Sequence, residues 1–469
     1  VNDLNRVLDE QCKIATYEGP DTDGARRGSE DWLMEEALIR TSYRDFLCRK
    51  KKQHLSTGFT VPDLGSFLYP FQRHIVDWAL RKGRACIFAD CGLGKTPMQL
   101  EWGAQVSRRT EKPILILAPL AVSLQTQRQG VQFGIPVTVC RSMADITSGV
   151  NITNYEMLHH FDATAFSGIV LDESSILKSY SGKVRNQIIE AFAHTPCRLA
   201  CTATPSPNDF MELGNHSEFV GAMSRPSMLA TFFNHDGGET SKWRLKGHAV
   251  KPFWDWVASW AVMLRRPSDL GYSDQGFELP ELRRHYHTVT SFAQEGMLFP
   301  VEAESLQERR ESRIATVAKR IDLARDFATD GAQWLMWGDL NIETRSAAGA
   351  IPDAVEICGA DTIGRKESVM LGFADRNVRV LVTKPKIAGF GMNWQNCNRM
   401  VFLGLSDSYE SQYQAERRCW RYGQTQDVDV HYLISDRDGA VIRNIDRKRL
   451  QAEEMAEEMI EGMEGHHDG

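Results

Sequence analysis

The sequence predicts an α/β protein built from two parallel-sheet domains in tandem, with a helical insertion after the first. Three observations predict it. Strand-like apolar runs alternate with helix-compatible segments from residue 85 to 215, the pattern of a parallel sheet covered on both faces. From Gly221 to about Pro280 the alternation breaks into a stretch rich in tryptophan and phenylalanine. A second alternating block then runs from Gln333 to Ile434.

The bulk properties bound the chemistry. A chain of 469 residues has room for roughly two to four domains with large cores. Hydrophobic residues make up 42% and charged residues 25%, values of an ordinary globular protein. No apolar run reaches the length of about eighteen that a membrane span needs. The acidic, polar opening VNDLNRVLDEQCK does not read as a secretory signal. Ten cysteines with no CxxC pair suggest a reduced, cytoplasmic protein without structural zinc. The net charge of −7 argues against indiscriminate nucleic-acid binding, yet basic clusters occur at 49–52, 242–251 and 309–320. Glutamates crowd the last stretch, from Glu453 to Glu464, where such a run is usually a solvated face.

Residues 1 to 65 form a polar lead-in ending before Tyr69-Pro70-Phe71-Gln72, where Pro70 pre-sets a helix. Gln72 is either a helix-start residue or a reader of an adenine edge, since its amide both donates and accepts. Ala85–Leu100 (ACIFADCGLGKTPMQL) is the central stretch. Cys86 to Ala89 read as a buried strand, and Asp90, Cys91, Gly92, Leu93 and Gly94 as a sharp turn. Gly92 and Gly94 let backbone amides curl around a phosphate. Lys95 brings a point charge for the β/γ-phosphates, Thr96 a hydroxyl for Mg²⁺, and the following helix aims its positive end at the same anion. ILILA after Pro113 is a second buried strand, and Ser123 and Thr126 beyond it suit a nucleic-acid phosphate. Ile152 to Glu156 repeats the pattern with Asn154. The buried strand Ser167–Leu171 ends in Asp172-Glu173-Ser174-Ser175, where ligands bind in open α/β sheets. Asp172 can hold Mg²⁺ and Glu173 can polarise an attacking water. The strand that starts at Cys197 ends in Thr202 and Thr204, placed to bridge the acidic pair and a neighbouring domain.

The aromatic stretch can stack on bases, but Phe253, Trp256 and Trp260 fit one helix face and so a packed helical insertion. A charged helical connection over 293–330 leads to the second block. There Lys384 to Trp394 is a glycine-containing loop that follows a strand ending in Thr383, and it includes Gly391 and Asn393. Ser411 to Gln424 reads as a helix carrying Gln414, Arg418 and Arg421 on one face, suited to a polyphosphate.

In order, Gln72, DCGLGKT, DESS, TATP and QAERRCWRYGQ resemble the motif set of a superfamily 2 nucleic-acid motor, and the D-x-G-L-G-K-T and Q-A-x-x-R-x-x-R-x-G-Q forms resemble its Swi/Snf-type branch. The wording LDESSILKS and ATPSPNDFMELGN is similar to DEAD/DEAH-box-like helicases encoded by bacteriophages. The resemblance covers roughly residues 66–436. It implies two RecA-like domains clamping ATP in a cleft: 66–220 and 291–446, flanked by the accessory segment 1–65, the insertion 221–290 and an acidic tail 447–469. It implies that Gln72, Asp90, Gly92, Leu93, Gly94, Lys95, Thr96 and Gly391 bind ATP, and that Thr96 and Asp172 hold Mg²⁺. The resemblance further implies that Lys95, Glu173, Arg418 and Arg421 carry catalysis, the last as arginine finger. By the same resemblance Thr202, Thr204 and Gln414 would couple the domains, and Ser123, Thr126, Asn154, Thr383, Lys384 and Asn393 would line the nucleic-acid track. Departures are Ser175 where the branch has histidine, and Tyr69 where it often has arginine. The implied protein is a monomeric DNA-dependent ATPase, with duplex DNA as favoured substrate. It would act in phage replication or recombination alongside such proteins, in the host cytoplasm. The alternatives are an RNA helicase and an ATP-gated nucleic-acid clamp.

Overall fold

The first sheet is a buried layer because its strands are almost wholly apolar. A computed structural model describes residues 56–119, 122–179, 182–235, 243–291, 305–388 and 392–463. The segment 1–55, and with it most of the accessory lead-in, lies outside the described residues, as does Gly391. The strands of the first lobe are β1 (Arg84–Ala89), β2 (Ile114–Ala118), β3 (Val137–Val139), β4 (Val150–Asn154), β5 (Gly168–Asp172) and β6 (Cys197–Thr202). A small antiparallel pair follows, β7 (Phe233–His235) with β8 (Trp243–Leu245), and then β9 (Ala261–Leu264). The first sheet has the order β3-β4-β2-β5-β6-β1-β9, every pairing parallel. Continuous runs such as Ile114–Ala118, buried at all five positions, are what a sheet covered on both faces requires.

The second lobe holds β10 (Leu282–Val289), β11 (Trp334–Trp337), β12 (Ala354–Glu356), β13 (Val380–Thr383), β14 (Arg399–Phe402) and β15 (Val428–Ser435). They form an all-parallel sheet in the order β10-β15-β14-β11-β13-β12. An apolar cluster lies on each face of it, one around Trp337 and Trp394, the other around Ile321 and Met336. Two parallel-sheet α/β domains are therefore present, as the alternation predicts.

Two stretches differ from expectation. The region 221–290 does contain packed helices, Arg225–Phe232 and Val250–Ala258, and buries Phe253, Trp256 and Trp260. It also supplies a strand to each sheet. β9 pairs with β1, because AVML is apolar at all four positions, and β10 pairs with β15 along its whole length. The glutamate-rich end is not a free tail over its described part. Gly439–Met463 is a single helix that crosses to the first lobe, where Met455, Ala456 and Met459 join the core. Trp254 Nε1 donates to Glu458 at 2.8 Å, and Arg265 pairs with Glu457. The physical reason is an apolar stripe at helical spacing, hidden among the acids. No helix among the described residues is long and apolar enough to cross a membrane.

Candidate active site between the lobes

The parallel order brings three strand ends together. β5, β6 and β1 are adjacent, so the turns after Asp172, Thr202 and Ala89 share one edge of the sheet. After β1 the chain turns through Gly92 (φ +96°) and Gly94 (φ +80°), then enters the helix Lys95–Thr110. Lys95 Nζ donates to Ala89 O at 2.8 Å, across the mouth of the turn. Thr96 stands half-buried in the first turn of that helix.

Gln72 braces this loop instead of presenting a free edge. Its Nε2 donates to Leu93 O at 2.9 Å, and its Oε1 accepts from Tyr69 N at 3.0 Å. The side chain is buried and must satisfy its own amide, and the loop carbonyl is the nearest acceptor. The amide expected to read adenine is thus held on the loop and on Tyr69, with one N–H and one oxygen lone pair left over.

The two carboxylates at the end of β5 have separate settings. Asp172 Oδ1 accepts from Gln99 Nε2 at 2.8 Å, a partner the sequence did not reveal. Glu173 has left-handed backbone (φ +57°), an unusual conformation for a side-chain-bearing residue. Its Oε1 accepts from the hydroxyls of Thr202 and of Ser175, the latter at 3.1 Å. Enclosure pushes both carboxyls above the ordinary carboxylate range, against the pull of Gln99 and Lys95 on Asp172 and of Lys95 and Thr202 on Glu173. The Thr202 hydroxyl also accepts from Thr204 N at 3.1 Å.

The second lobe reaches this edge with Tyr409–Glu416. The expected helix 411–424 ends at Glu416, and turns carry the chain on to Gln424. Arg418 Nε donates to Gln414 O at 2.8 Å, bending the arginine segment back on the helix end. Gln414 Nε2 lies 3.4 Å from Thr204 Oγ1, a long contact between lobes. Glu173, Thr202, Thr204 and Gln414 therefore stand in one chain of polar contacts. Arg418 is buried, with Nη1 on Met392 O at 3.0 Å and Nη2 4.0 Å from Cys91 Sγ in the loop. Arg421 is half-buried. Its Nη1 is 3.3 Å from Met392 O, and its Nε is shut from solvent with no partner. Burial, then the like charge of Arg418, lowers the Arg421 guanidinium to about 9. Among the described residues neither Arg418 nor Arg421 has an acidic partner within ion-pair distance.

The firmest grip on the loop comes from residues not singled out in the sequence. Arg417 Nη2 donates to Asp90 Oδ2 at 2.6 Å and to Cys91 O at 2.8 Å, and the Tyr413 hydroxyl also donates to Asp90. Burial works against the Arg417 charge, but Asp90 more than restores it and raises its pKa. The ring of Tyr422 lies against Gly92, 2.9 Å from where a Cβ would stand. The available signal was that Arg417 falls three residues after Gln414, on the same side of a helical turn.

The nucleic-acid candidates divide. Ser123, Thr126 and Thr383 are buried, and Thr383 Oγ1 donates to Ile357 O at 3.2 Å, so these hydroxyls lack the exposure a phosphate contact needs. Strand ends and first helical turns in a doubly covered sheet are enclosed by their own packing. Asn154 caps the following turn through Met157 N at 3.2 Å, and Lys384 Nζ donates to Asp339 O at 2.8 Å. Asn393 is half-buried. A cleft of about 480 Å³ opens between the lobes beside Glu173, lined among others by Tyr155, Lys178, Lys366, Lys386 and Glu410.

No family model matches the chain. It is 25% identical over 424 residues to the SWI/SNF-related matrix-associated actin-dependent regulator of chromatin subfamily A-like protein 1 of Xenopus tropicalis, covering 79% of this chain and 43% of that protein. It is 22% identical over 444 residues to the DNA annealing helicase and endonuclease ZRANB3 of Bos taurus, covering 83% of this chain and 40% of the relative. The chain thus spans less than half the length of these relatives. Among solved structures, the Sulfolobus solfataricus SWI2/SNF2 ATPase core in complex with dsDNA aligns with 82% of this chain and 90% of its own, at 17% identity and a TM-score of 0.41. In its ordered motifs and over about four-fifths of its length, the chain is similar to the Swi/Snf-type branch of helicase-like ATPases.

Proposed function

We propose that this chain is an ATP-driven motor on DNA, with duplex as the favoured track, hydrolysing ATP between its two lobes. One observation carries the reading. Arg418 Nη2 reaches Cys91 of the glycine turn, neither it nor Arg421 has an acidic partner within ion-pair distance among the described residues, and a triphosphate supplies the missing charge. Lys95 and the amides of Gly92 to Thr96 hold the phosphates, and Glu173 takes the proton of the attacking water. Its clamped Oε1 fixes the carboxylate, which leaves Oε2 to accept that proton. Arg421 meets the charge that develops as the lobes tighten. The oxygen donors of Thr96 and Asp172 fit a hard cation, and Mg²⁺ held there would neutralise phosphate charge.

Movement follows from the contact chain Glu173–Thr202–Thr204–Gln414, which ties the hydrolytic carboxylate to the other lobe. The similarity to SWI/SNF-related proteins supports DNA as the track. Phosphate contacts give weak sequence preference and strong salt dependence. The proposed setting is phage replication or recombination in the host cytoplasm, as a monomer. The test is steady-state ATP hydrolysis with no nucleic acid, single-stranded DNA, duplex DNA or RNA, beside Glu173→Gln. Strong stimulation by duplex supports the motor. Stimulation by RNA alone overturns the DNA assignment, and no stimulation by any of them overturns the motor.

A further inference from the structure

The cleft beside Glu173 contains an ion pair between the lobes. Lys178, in the turn that follows Ser174-Ser175, pairs with Glu410 Oε2 in the first turn of Tyr409–Glu416. The partners are unequal. The Lys178 side chain is 41% exposed, while that of Glu410 is 5% exposed. The other oxygen of Glu410, Oε1, is buried with no hydrogen-bond partner. A buried carboxylate with one lone counter-ion is stable only while that counter-ion stays. Lys178 lines this cleft together with Lys366 and Lys386 of the second lobe. The ligand chemistry that competes with Glu410 for an exposed ammonium here is a phosphodiester.

The helix whose first turn holds Glu410 runs directly to the catalytic edge. One turn on it presents Tyr413 to Asp90 and Gln414 to Thr204, and at its end it delivers Arg417 and Arg418. Glu410 also acts on the hydrolytic carboxylate, since its field is among those that push the Glu173 carboxyl upward. We propose that the Lys178–Glu410 pair is the contact through which nucleic acid switches on hydrolysis. A backbone phosphate draws Lys178 away, Glu410 is left buried without its counter-ion, and the helix shifts to relieve it. That shift moves Gln414 and the arginines relative to the phosphate loop. The proposal rests on the nucleic-acid-motor reading above.

Lys178→Met and Glu410→Gln separate the two halves of the switch. Lys178→Met strands Glu410 permanently, so turnover without nucleic acid rises severalfold toward the duplex-stimulated rate. It also removes one phosphate contact, so the log–log salt slope of duplex binding shrinks by about 0.9. Glu410→Gln leaves nothing to strand, so the variant still binds duplex but is no longer stimulated by it. Lys178→Arg keeps the pair and stays stimulated. If Lys178→Met does not fold, Glu410→Gln carries the test alone. Unchanged or lower basal turnover in folded Lys178→Met, or wild-type stimulation in Glu410→Gln, overturns the proposal. If the wild-type protein is stimulated by no nucleic acid, the motor reading itself has failed, which is a different result from a stimulated wild type with unresponsive variants.

Discussion

Gly94→Ala tests how the phosphate loop is held. Gly94 sits at φ +80°, ψ +44°, a left-handed conformation that an L-residue adopts at about 1–2 kcal/mol. An added Cβ would stand 2.2 Å from Gln72 Nε2, so the amide must leave Leu93 O. Leaving that buried donor and acceptor unsatisfied costs about 1–3 kcal/mol more. The expected destabilisation is therefore about 2–5 kcal/mol, read as a lower urea midpoint at unchanged slope. Part of it is specific to the Gln72 contact, so Gln72→Ala and Gly94→Ala should cost less together than the sum of the singles. Additive costs, or a loss under about 1 kcal/mol for Gly94→Ala, would refute the bracing of the loop by Gln72.

Lys95→Ala should abolish nucleotide binding or turnover, measured by fluorescent-nucleotide titration and steady-state hydrolysis. Arg421→Ala should keep ATP binding while hydrolysis falls by about 10³–10⁵ in a finger's usual range, and normal turnover would remove it from the site. Because enclosure raises the Glu173 carboxyl, activity should be lost on acidification at a higher pH than an ordinary glutamate would give, and Thr202→Val should move that acid limb further up. His216 is buried and neutral, its pKa lowered by burial to about 4 from 6.5, with Nε2 3.0 Å from Ser174 Oγ. Only the unfolded chain takes up this proton as pH falls from 6.5 toward 4, so stability is full above 6.5 and declines through that window, by roughly 3 kcal/mol from this group. Denaturation midpoints of His216→Gln should lack that part of the decline.

Much of the fold was legible because its strands announce themselves. Ile114–Ala118 and Gly168–Leu171 are short continuous apolar runs next to glycine or proline, too short for a helix and so read as buried parallel strands. β10 was missed for the opposite reason. LRRHYHTV is an edge strand that mixes charge and aromatic residues, so nothing in its own pattern points inward until Val428–Ser435 is set beside it. The loop, the carboxylates and the threonines of the site were named from local spacing alone. Contacts such as Arg417 with Asp90 depend on how two lobes meet, which no local pattern encodes. Thr126 and Thr383 were misassigned because a hydroxyl in a helix or at a strand end looks the same in sequence whether it faces solvent or is buried, as Thr383 is on the Ile357 carbonyl.

The helix Gly439–Met463 changes what kind of machine this can be. The chain passes from the first sheet to the second between β9 and β10, and this helix brings it back to the first. Two bodies joined by one tether can swing and twist freely. Joined at two separate points, they keep mainly a rocking motion about the line through both. Each ATP would then be translated into a stroke of fixed direction, as a door moves on two pins, and the length of the stroke would be set by the distance of the track from that line.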